Sequence, residues 1–275
     1  MVIRKKIYSK SLGDACVTTF MFAIIPVIYY FELWIVLPRF HEPWGVTYIF
    51  HFLMGNFILL NVSSNLVAII LTDTSISGKI LPSDVAKNWR FCSVCETLAP
   101  PRSWHCPSCN ACILKRDHHC MFTSCCIGHN NHRFFLVFVF YIFIATLYST
   151  VFNIQFIYHY VKFDSWISVV KIVFPLATLF LEWTENQLYL SFILIVMLGC
   201  FFTAALLVYQ LRLILNGLVT YERNEKLSMY DRGKLDNLKV VLGKRWMLVW
   251  ISPFMESELP CDGVIWETSN SMKAK

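Results

Sequence analysis

Apolar residues gather along the chain into four long runs, covering residues 17–37, 46–71, 134–161 and 188–215. Each is near or above the roughly 20 residues that a helix needs to cross a bilayer. The first run carries one charge, Glu32, close to an end where the interface can hydrate it. It is too long for the core of a signal peptide and lacks a small-residue cleavage site, so it reads as a retained anchor. A fifth run, 166–181, is shorter and is interrupted by Lys171 and Pro175. It is expected to lie in the lumen or at the interface. The second run contains Asn56, Asn61, Ser63, Ser64 and Asn65. Hydrocarbon tolerates such groups only with partners, so they are expected to face other helices or a cavity.

The polar stretches set the orientation, because Lys and Arg collect on the cytoplasmic side of a membrane. With four spans, 21 of the 24 Lys and Arg fall in the N-terminal end, the loop between the second and third spans, and the tail. Only Arg39, Lys162 and Lys171 fall on the other side. Both ends and the middle loop are therefore expected in the cytosol. Charged residues are 15% of the chain and hydrophobic ones 56%, against roughly 25% charged in an average soluble domain. This excludes an intrinsically disordered chain and a nucleic-acid binder with a mainly basic surface. The net charge of +6 suits basic faces against an anionic leaflet.

Most of the eleven cysteines crowd into residues 91–135, FCSVCETLAPPRSWHCPSCNACILKRDHHCMFTSCCIGHNNHRFF. Cys92 and Cys95, Cys106 and Cys109, and Cys109 and Cys112 have zinc-ligand spacing. His105, His118, His119, Cys120, Cys125 and Cys126 add further donors. Thiolate and imidazole are the ligands that tetrahedral structural zinc prefers, and disulfides rarely persist in the cytosol. The stretch has few aliphatic core residues, so metal is expected to supply much of its folding free energy. Two four-coordinate sites would leave donors over. Asp117-His118-His119-Cys120 places a carboxylate, an imidazole and a thiol within four residues. An imidazole can take a thiol's proton, and a carboxylate can fix that imidazole's tautomer. Spacing leaves open which of the two histidines binds metal. The predicted fold is an all-α polytopic membrane protein with four transmembrane helices. A cytosolic zinc-binding cysteine-rich domain lies between helices 2 and 3. The expected divisions are 1–71, 72–133, 134–215 and 216–275.

The run resembles the cysteine-rich domain of the DHHC protein S-acyltransferases, or palmitoyltransferases. The tetrapeptide at 117–120 is intact, as is the surrounding pattern from Cys92 through His105-Cys106 to Cys126, Asn131 and Phe135. The resemblance implies two structural Zn2+ sites, one of Cys92, Cys95, His105 and Cys112, the other of Cys106, Cys109, His119 and Cys126. His118 is then the base, Asp117 its orienting partner and Cys120 the nucleophile. It also implies acyl-CoA, such as palmitoyl-CoA, as donor, and membrane-associated client proteins with cytosolic cysteines as acceptors. The acyl chain would enter a cavity among the membrane helices, and the membrane would be that of the Golgi or endoplasmic reticulum.

Lys115 and Arg116 are the candidates for pairing with CoA phosphates, whereas Arg90, Arg102 and Arg133 read as charge facing the anionic leaflet. Cys125 reads as a spare buried thiol. After the fourth span the family's Thr-Thr-x-Glu motif appears as Val219-Thr220-Tyr221-Glu222, with Thr220 and Glu222 retained. Tyr230-Asp231-x-Gly233-x3-Asn237 resembles the family's C-terminal motif, whose Asn237 supports packing of the tail. Residues 244–250, KRWMLVW, suit an interfacial anchor, and the tail beyond Glu256 reads as loop. Met121-Phe122 stands where many relatives have Pro-Trp. The alternative to an active enzyme is a catalytically inactive zinc-knuckle membrane adaptor of the same fold.

Overall fold

A computed structural model of the protein describes residues 3–4, 11–81, 89–160, 166–181 and 183–268. Of the basic residues that oriented the chain, Lys5, Lys6, Lys10, Lys87, Lys162, Lys273 and Lys275 lie outside this description. Helix α1 (Leu12–Tyr30) passes through a π-helical turn, Phe31–Val36, into α2 (Leu37–Phe40), and α3 (Val46–Leu71) follows. The cysteine-rich region forms β1 (Arg90–Cys92), β2 (Thr97–Ala99), β3 (Trp104–Cys106), β4 (Ala111–Ile113), β5 (His118–Cys120) and β6 (Cys125–Ile127). Then come α4 (His132–Tyr160), α5 (Trp166–Val173), α6 (Pro175–Leu181), α7 (Glu185–Leu215), α8 (Thr220–Asn224) and α9 (Lys234–Leu242).

Among the described residues, four helical stretches are long and apolar enough to cross a bilayer: Leu12–Phe40, Val46–Leu71, His132–His159 and Glu185–Leu215. They carry exposed Phe20, Phe22, Phe50, Leu53, Phe57, Phe201 and Phe202, and they fit an integral membrane protein. The run at 166–181 is instead two short helices. Pro175 opens α6, at the first helical position, where a missing N–H costs nothing.

The chain is mostly helical, but its cysteine-rich region adds strands that an all-α reading omits. They form three antiparallel ribbons, β1 with β2, β3 with β4 and β5 with β6. The cause is local. Each of the first two reversals carries the second cysteine of a Cys-x2-Cys pair and ends in a left-handed residue, Glu96 (φ 48°) or Asn110 (φ 51°). The flanking residues are thereby brought into register.

The chain divides into two compact units. The first comprises Met1–Met21, Asn61–Phe138 and Val208–Lys275, and holds the ribbons, α8 and α9. One of its cores joins Ile76, Ala99, Cys112, Leu114 and Val264. In the same unit Asn61 and Asn65 are buried, and Asn65 Nδ2 donates to the Asn61 carbonyl at 2.8 Å. The second unit comprises Phe22–Leu60 and Val139–Leu207. Its core joins Phe31, Val36, Phe156 and Ile193. There Glu32 is not left alone among apolar groups, because Asn153 Nδ2 donates to its Oε1 at 2.8 Å. Asn56 likewise accepts from the Tyr29 hydroxyl at 3.0 Å.

Candidate functional site

The cysteine-rich region draws its donors into two clusters. In each, four ligand atoms lie within 4.8 Å of one another: Cys92, Cys95, His105 and Cys112 in one, Cys106, Cys109, His119 and Cys126 in the other. The clusters interleave, because β3 and β4 supply both. His105 pairs across the ribbon with Cys112 and belongs to the first, while the next residue, Cys106, turns to the second.

The donor chemistry fits a soft dication. Hydrogen bonds from Cys109 and Cys126 outweigh burial and hold the Cys106 thiol far below its ordinary range, while Cys106 and Cys109 hold Cys126 far above its own. Four donors this close cannot all ionise around nothing. A cation coordinated by them removes that conflict. His119 turns Nδ1 toward the sulfurs of Cys109 (3.4 Å), Cys106 (3.6 Å) and Cys126 (3.7 Å). Its Nε2 donates to Asp14 Oδ2 at 2.9 Å. A carboxylate behind a ligating imidazole fixes the ring and raises its basicity.

The alternation of β5 separates the two histidines. Successive residues of a strand point to opposite faces. His119, opposite Cys126, faces the second cluster. His118 and Cys120 share the other face. His118 Nδ1 donates to Asp117 Oδ2 at 2.7 Å, and the ring is near enough to Cys120 for each group to shift the other's pKa. Cys120 belongs to neither cluster.

Asp117 is buried and saturated. Gln210 Nε2 donates to its Oδ2 at 3.0 Å, and the Thr220 backbone N–H and hydroxyl donate to its Oδ1 at 2.9 and 3.1 Å. His132 Nε2 in turn donates to Gln210 Oε1 at 3.3 Å. Burial opposes a charged Asp117, but these donors and the neighbouring imidazoles hold its carboxyl well below the usual carboxylate range. Burial also opposes a charged His118. Hydrogen bonds to Asp117 and Cys120, with the attraction of both charges, raise its pKa to about 9. For Cys120, burial favours the neutral thiol, yet His118, the Thr123 hydroxyl and the Phe122 backbone lower its pKa. The site is thus built to hold an imidazolium beside a thiolate.

The loop after Cys120 is pinned from α1 and its approach. Thr18 Oγ1 donates to the Met121 carbonyl at 3.0 Å, and Arg4 donates two bonds to the Ser124 carbonyl at 3.2 Å each. Met121 and Phe122 are exposed, as an apolar rim beside the thiol. Cys125 is buried, and burial pushes its thiol up to about 12. Behind the loop, Asn131 Nδ2 donates to the Cys126 carbonyl at 3.0 Å, and its Oδ1 accepts the Gly128 N–H at 2.8 Å. A Cβ at Gly128 would stand 2.6 Å from the Leu114 carbonyl oxygen, so no side chain fits there.

Several residues do not sit where the sequence suggested. Lys115 is 3% exposed. It lines a small cavity with Arg102, Tyr230, Arg232 and Trp266, so its ammonium is largely withdrawn from solvent. Arg116 is half-buried, and against the effect of burial the nearby thiols of Cys126, Cys106 and Cys109 raise its pKa. Arg102 is no leaflet-facing charge but the buried partner of Glu222, with two bonds of 2.7 Å. Val219 is fully buried, and its N–H is capped by Glu222 Oε2 at 3.0 Å. A hydroxyl at that position is therefore not needed to start α8. Asn237 ties the tail to the end of α7, donating to the Leu215 carbonyl at 3.0 Å. Asp14 and Gln210 have no local signal, because each meets its partner across about a hundred residues of chain.

Comparison with known proteins agrees with this geometry. A family model described as DHHC palmitoyltransferase matches residues 85–227, more than half of the chain. "Probable palmitoyltransferase ZDHHC24" of Mus musculus is 33% identical over 220 residues, covering 76% of this chain and 75% of that protein. The protein of the same name from Danio rerio is 33% identical over 229 residues, covering 82% and 78%. "Probable protein S-acyltransferase 14" of Arabidopsis thaliana is 35% identical over 166 residues, covering 58% and 50%. With the tetrapeptide, the two donor clusters and these matches in place, the chain belongs to the DHHC palmitoyltransferase family.

Proposed function

We propose that the protein is a protein S-palmitoyltransferase that moves a long-chain acyl group from acyl-CoA, through an acyl-Cys120 intermediate, to cysteine thiols of membrane-associated client proteins. The observation that carries this is the placement of His118 and Cys120 on one face of β5, with Asp117 behind the imidazole, while His119 turns to the opposite face.

Nδ1 of His118 is committed to Asp117, so Nε2 serves the thiol. The Cys120 thiolate attacks the thioester carbonyl of acyl-CoA. The C–S bond to CoA breaks, and the departing sulfur takes the proton held by His118. In the second step a client thiol gives its proton to His118 and attacks acyl-Cys120, and the Cys120 thiolate returns to its imidazolium. One thioester replaces another in each step, so no external energy source is required. Asp117 holds the tautomer throughout and stabilises the imidazolium whenever it forms.

The clusters Cys92, Cys95, His105, Cys112 and Cys106, Cys109, His119, Cys126 would each hold a Zn2+. Bound with four protein ligands, zinc supplies structure and leaves no open position for substrate. Arg116 is the remaining candidate for a CoA phosphate contact. The basic bias of the N-terminal end, the middle loop and the tail supports a cytosolic active site, and the family resemblance is the ground for placing it on a Golgi or endoplasmic reticulum membrane. Each CH2 of the acyl chain withdrawn from water favours binding by about 0.8 kcal/mol, which suits donor recognition at an apolar membrane surface. An inactive adaptor has no use for a thiol spared from metal beside an imidazole held by a carboxylate.

The test is labelling of detergent-purified protein with palmitoyl-CoA. Wild type should acquire a hydroxylamine-sensitive acyl group and pass it to a cysteine peptide. Cys120→Ser should do neither. Equal labelling of the two proteins would remove Cys120 from the reaction.

A further inference from the structure

The sequence beyond Glu256 reads as loop, yet its last described turn is built into the unit that carries Cys120. Asp262 Oδ1 accepts the N–H groups of Val264 and Ile265 at 2.8 and 3.1 Å and closes that turn. Gly263 has φ 82°, and a Cβ there would lie 2.6 Å from Cδ2 of His129. Only glycine combines that conformation with so close an approach. His129 Nε2 donates to the Cys261 carbonyl at 2.9 Å, and Val264 is buried against Ala99, Cys112 and Leu114.

Fixed in this way, the indole of Trp266 stacks on a guanidinium. Cζ of Arg102 lies 4.6 Å from the ring centroid of Trp266 and 4.6 Å from that of Tyr230. Arg102 is the residue that grips Glu222 with two bonds of 2.7 Å and the Gly217 carbonyl at 2.8 Å. Glu222 caps α8 through the Val219 N–H. The first residue of α8, Thr220, holds Asp117 Oδ1 through both its N–H and its hydroxyl.

We propose that Trp266 is a positioning residue for acyl transfer. It holds the Arg102 fork in the plane that seats Glu222, and through α8 it sets the orientation of Asp117 toward His118. This inference rests on the assignment of Asp117, His118 and Cys120 to the reaction. The physical reason lies in the shape of the contacts. A guanidinium fixed on aromatic faces keeps its two parallel N–H groups aimed at one carboxylate. Helix α8 has only five residues, so a shift of its cap reaches Thr220 directly. Small displacements of an orienting group cost rate without changing substrate affinity.

Trp266→Leu keeps apolar volume and removes the π face, while Trp266→Phe restores a face. The full chain is purified in detergent, and the maximal rate of acyl-Cys120 formation, the palmitoyl-CoA KM, the zinc content and the melting temperature are measured. Trp266→Leu should slow the maximal rate about five- to tenfold, with KM, zinc and melting near wild type. Trp266→Phe should recover most of the rate. Thr220→Val should also slow the reaction, and combining it with Trp266→Leu should add little. A wild-type rate in Trp266→Leu overturns the proposal. So does a loss that Phe fails to repair, or one that multiplies with Thr220→Val. Those results leave the site assignment standing as long as Cys120→Ser remains inert. Labelling of Cys120→Ser would instead remove the assignment beneath the proposal.

Discussion

The two donor clusters have the same composition, three cysteines and one histidine each, but different neighbours. The first is closed by β1, β3 and β4, and its Cys112 packs against Ala99, Leu114 and Val264. Its histidine turns Nδ1 to Cys95 at 3.2 Å. The second shares β5 with Cys120, and its histidine is braced by Asp14 from α1. One cluster therefore shapes a supporting ribbon, whereas the other sets the backbone from which the reacting groups project. Identical ligand chemistry does two jobs because of what lies one residue away.

The contrast is broken most completely at His119. His119→Ala should lower zinc from about two to about one per chain and abolish acylation, because structural zinc contributes on the order of 10 kcal/mol to folding. Cys92→Ser should also lose one zinc but keep measurable Cys120 labelling. Metal analysis and labelling of the same samples check both, and equal collapse of the two variants would erase the distinction. Next in size is the neighbouring histidine. His118→Ala should keep both metals and slow acyl-enzyme formation by about 10²–10⁴-fold. Reversal of the two histidine phenotypes would exchange their roles.

The pH dependence sharpens the same point. His118 is raised to about 9 and Cys120 is lowered from its ordinary value, so the imidazolium–thiolate pair persists between the two. Acyl-enzyme formation should fall on the alkaline side near about pH 9 as His118 loses its proton, and on the acid side as Cys120 gains one. A rate that climbs steadily through pH 10, as for an ordinary thiol, would contradict the pair. The smallest effect is expected at Asp14. Asp14→Asn should weaken zinc at the second cluster by about 10–100-fold and leave the first unchanged, as read by competition with a chelator. Equal weakening of both clusters would mean that the brace is not local.

What the sequence displays follows from the range of each interaction. The four membrane helices are visible because the bilayer imposes a length on consecutive residues. The donor clusters are visible because Cys-x2-Cys knuckles are local. The two histidines at 118 and 119 are ambiguous by spacing, and the pleat of β5 distinguishes them. That signal lay in the alternation of His118 with Cys120 and of His119 with its cross-strand partner Cys126. Asp14, Gln210 and Trp266 leave no trace in the sequence because their partners are 105, 93 and 164 positions away. Lys115 is ambiguous for a different reason. A lysine beside a cysteine cluster looks like an anion contact, and only the packing of Arg102, Tyr230 and Trp266 shows that it points inward.

The claim on which all of this depends is that the Cys120 sulfur is free of metal and takes the acyl group. The most direct measurement is peptide mass spectrometry of the zinc-loaded protein after a short reaction with palmitoyl-CoA, with zinc counted on the same sample. The predicted result is one hydroxylamine-labile palmitoyl group on the peptide containing Cys120, with both metals retained. Acyl groups confined to other cysteines, or zinc released in step with acylation, would contradict the account.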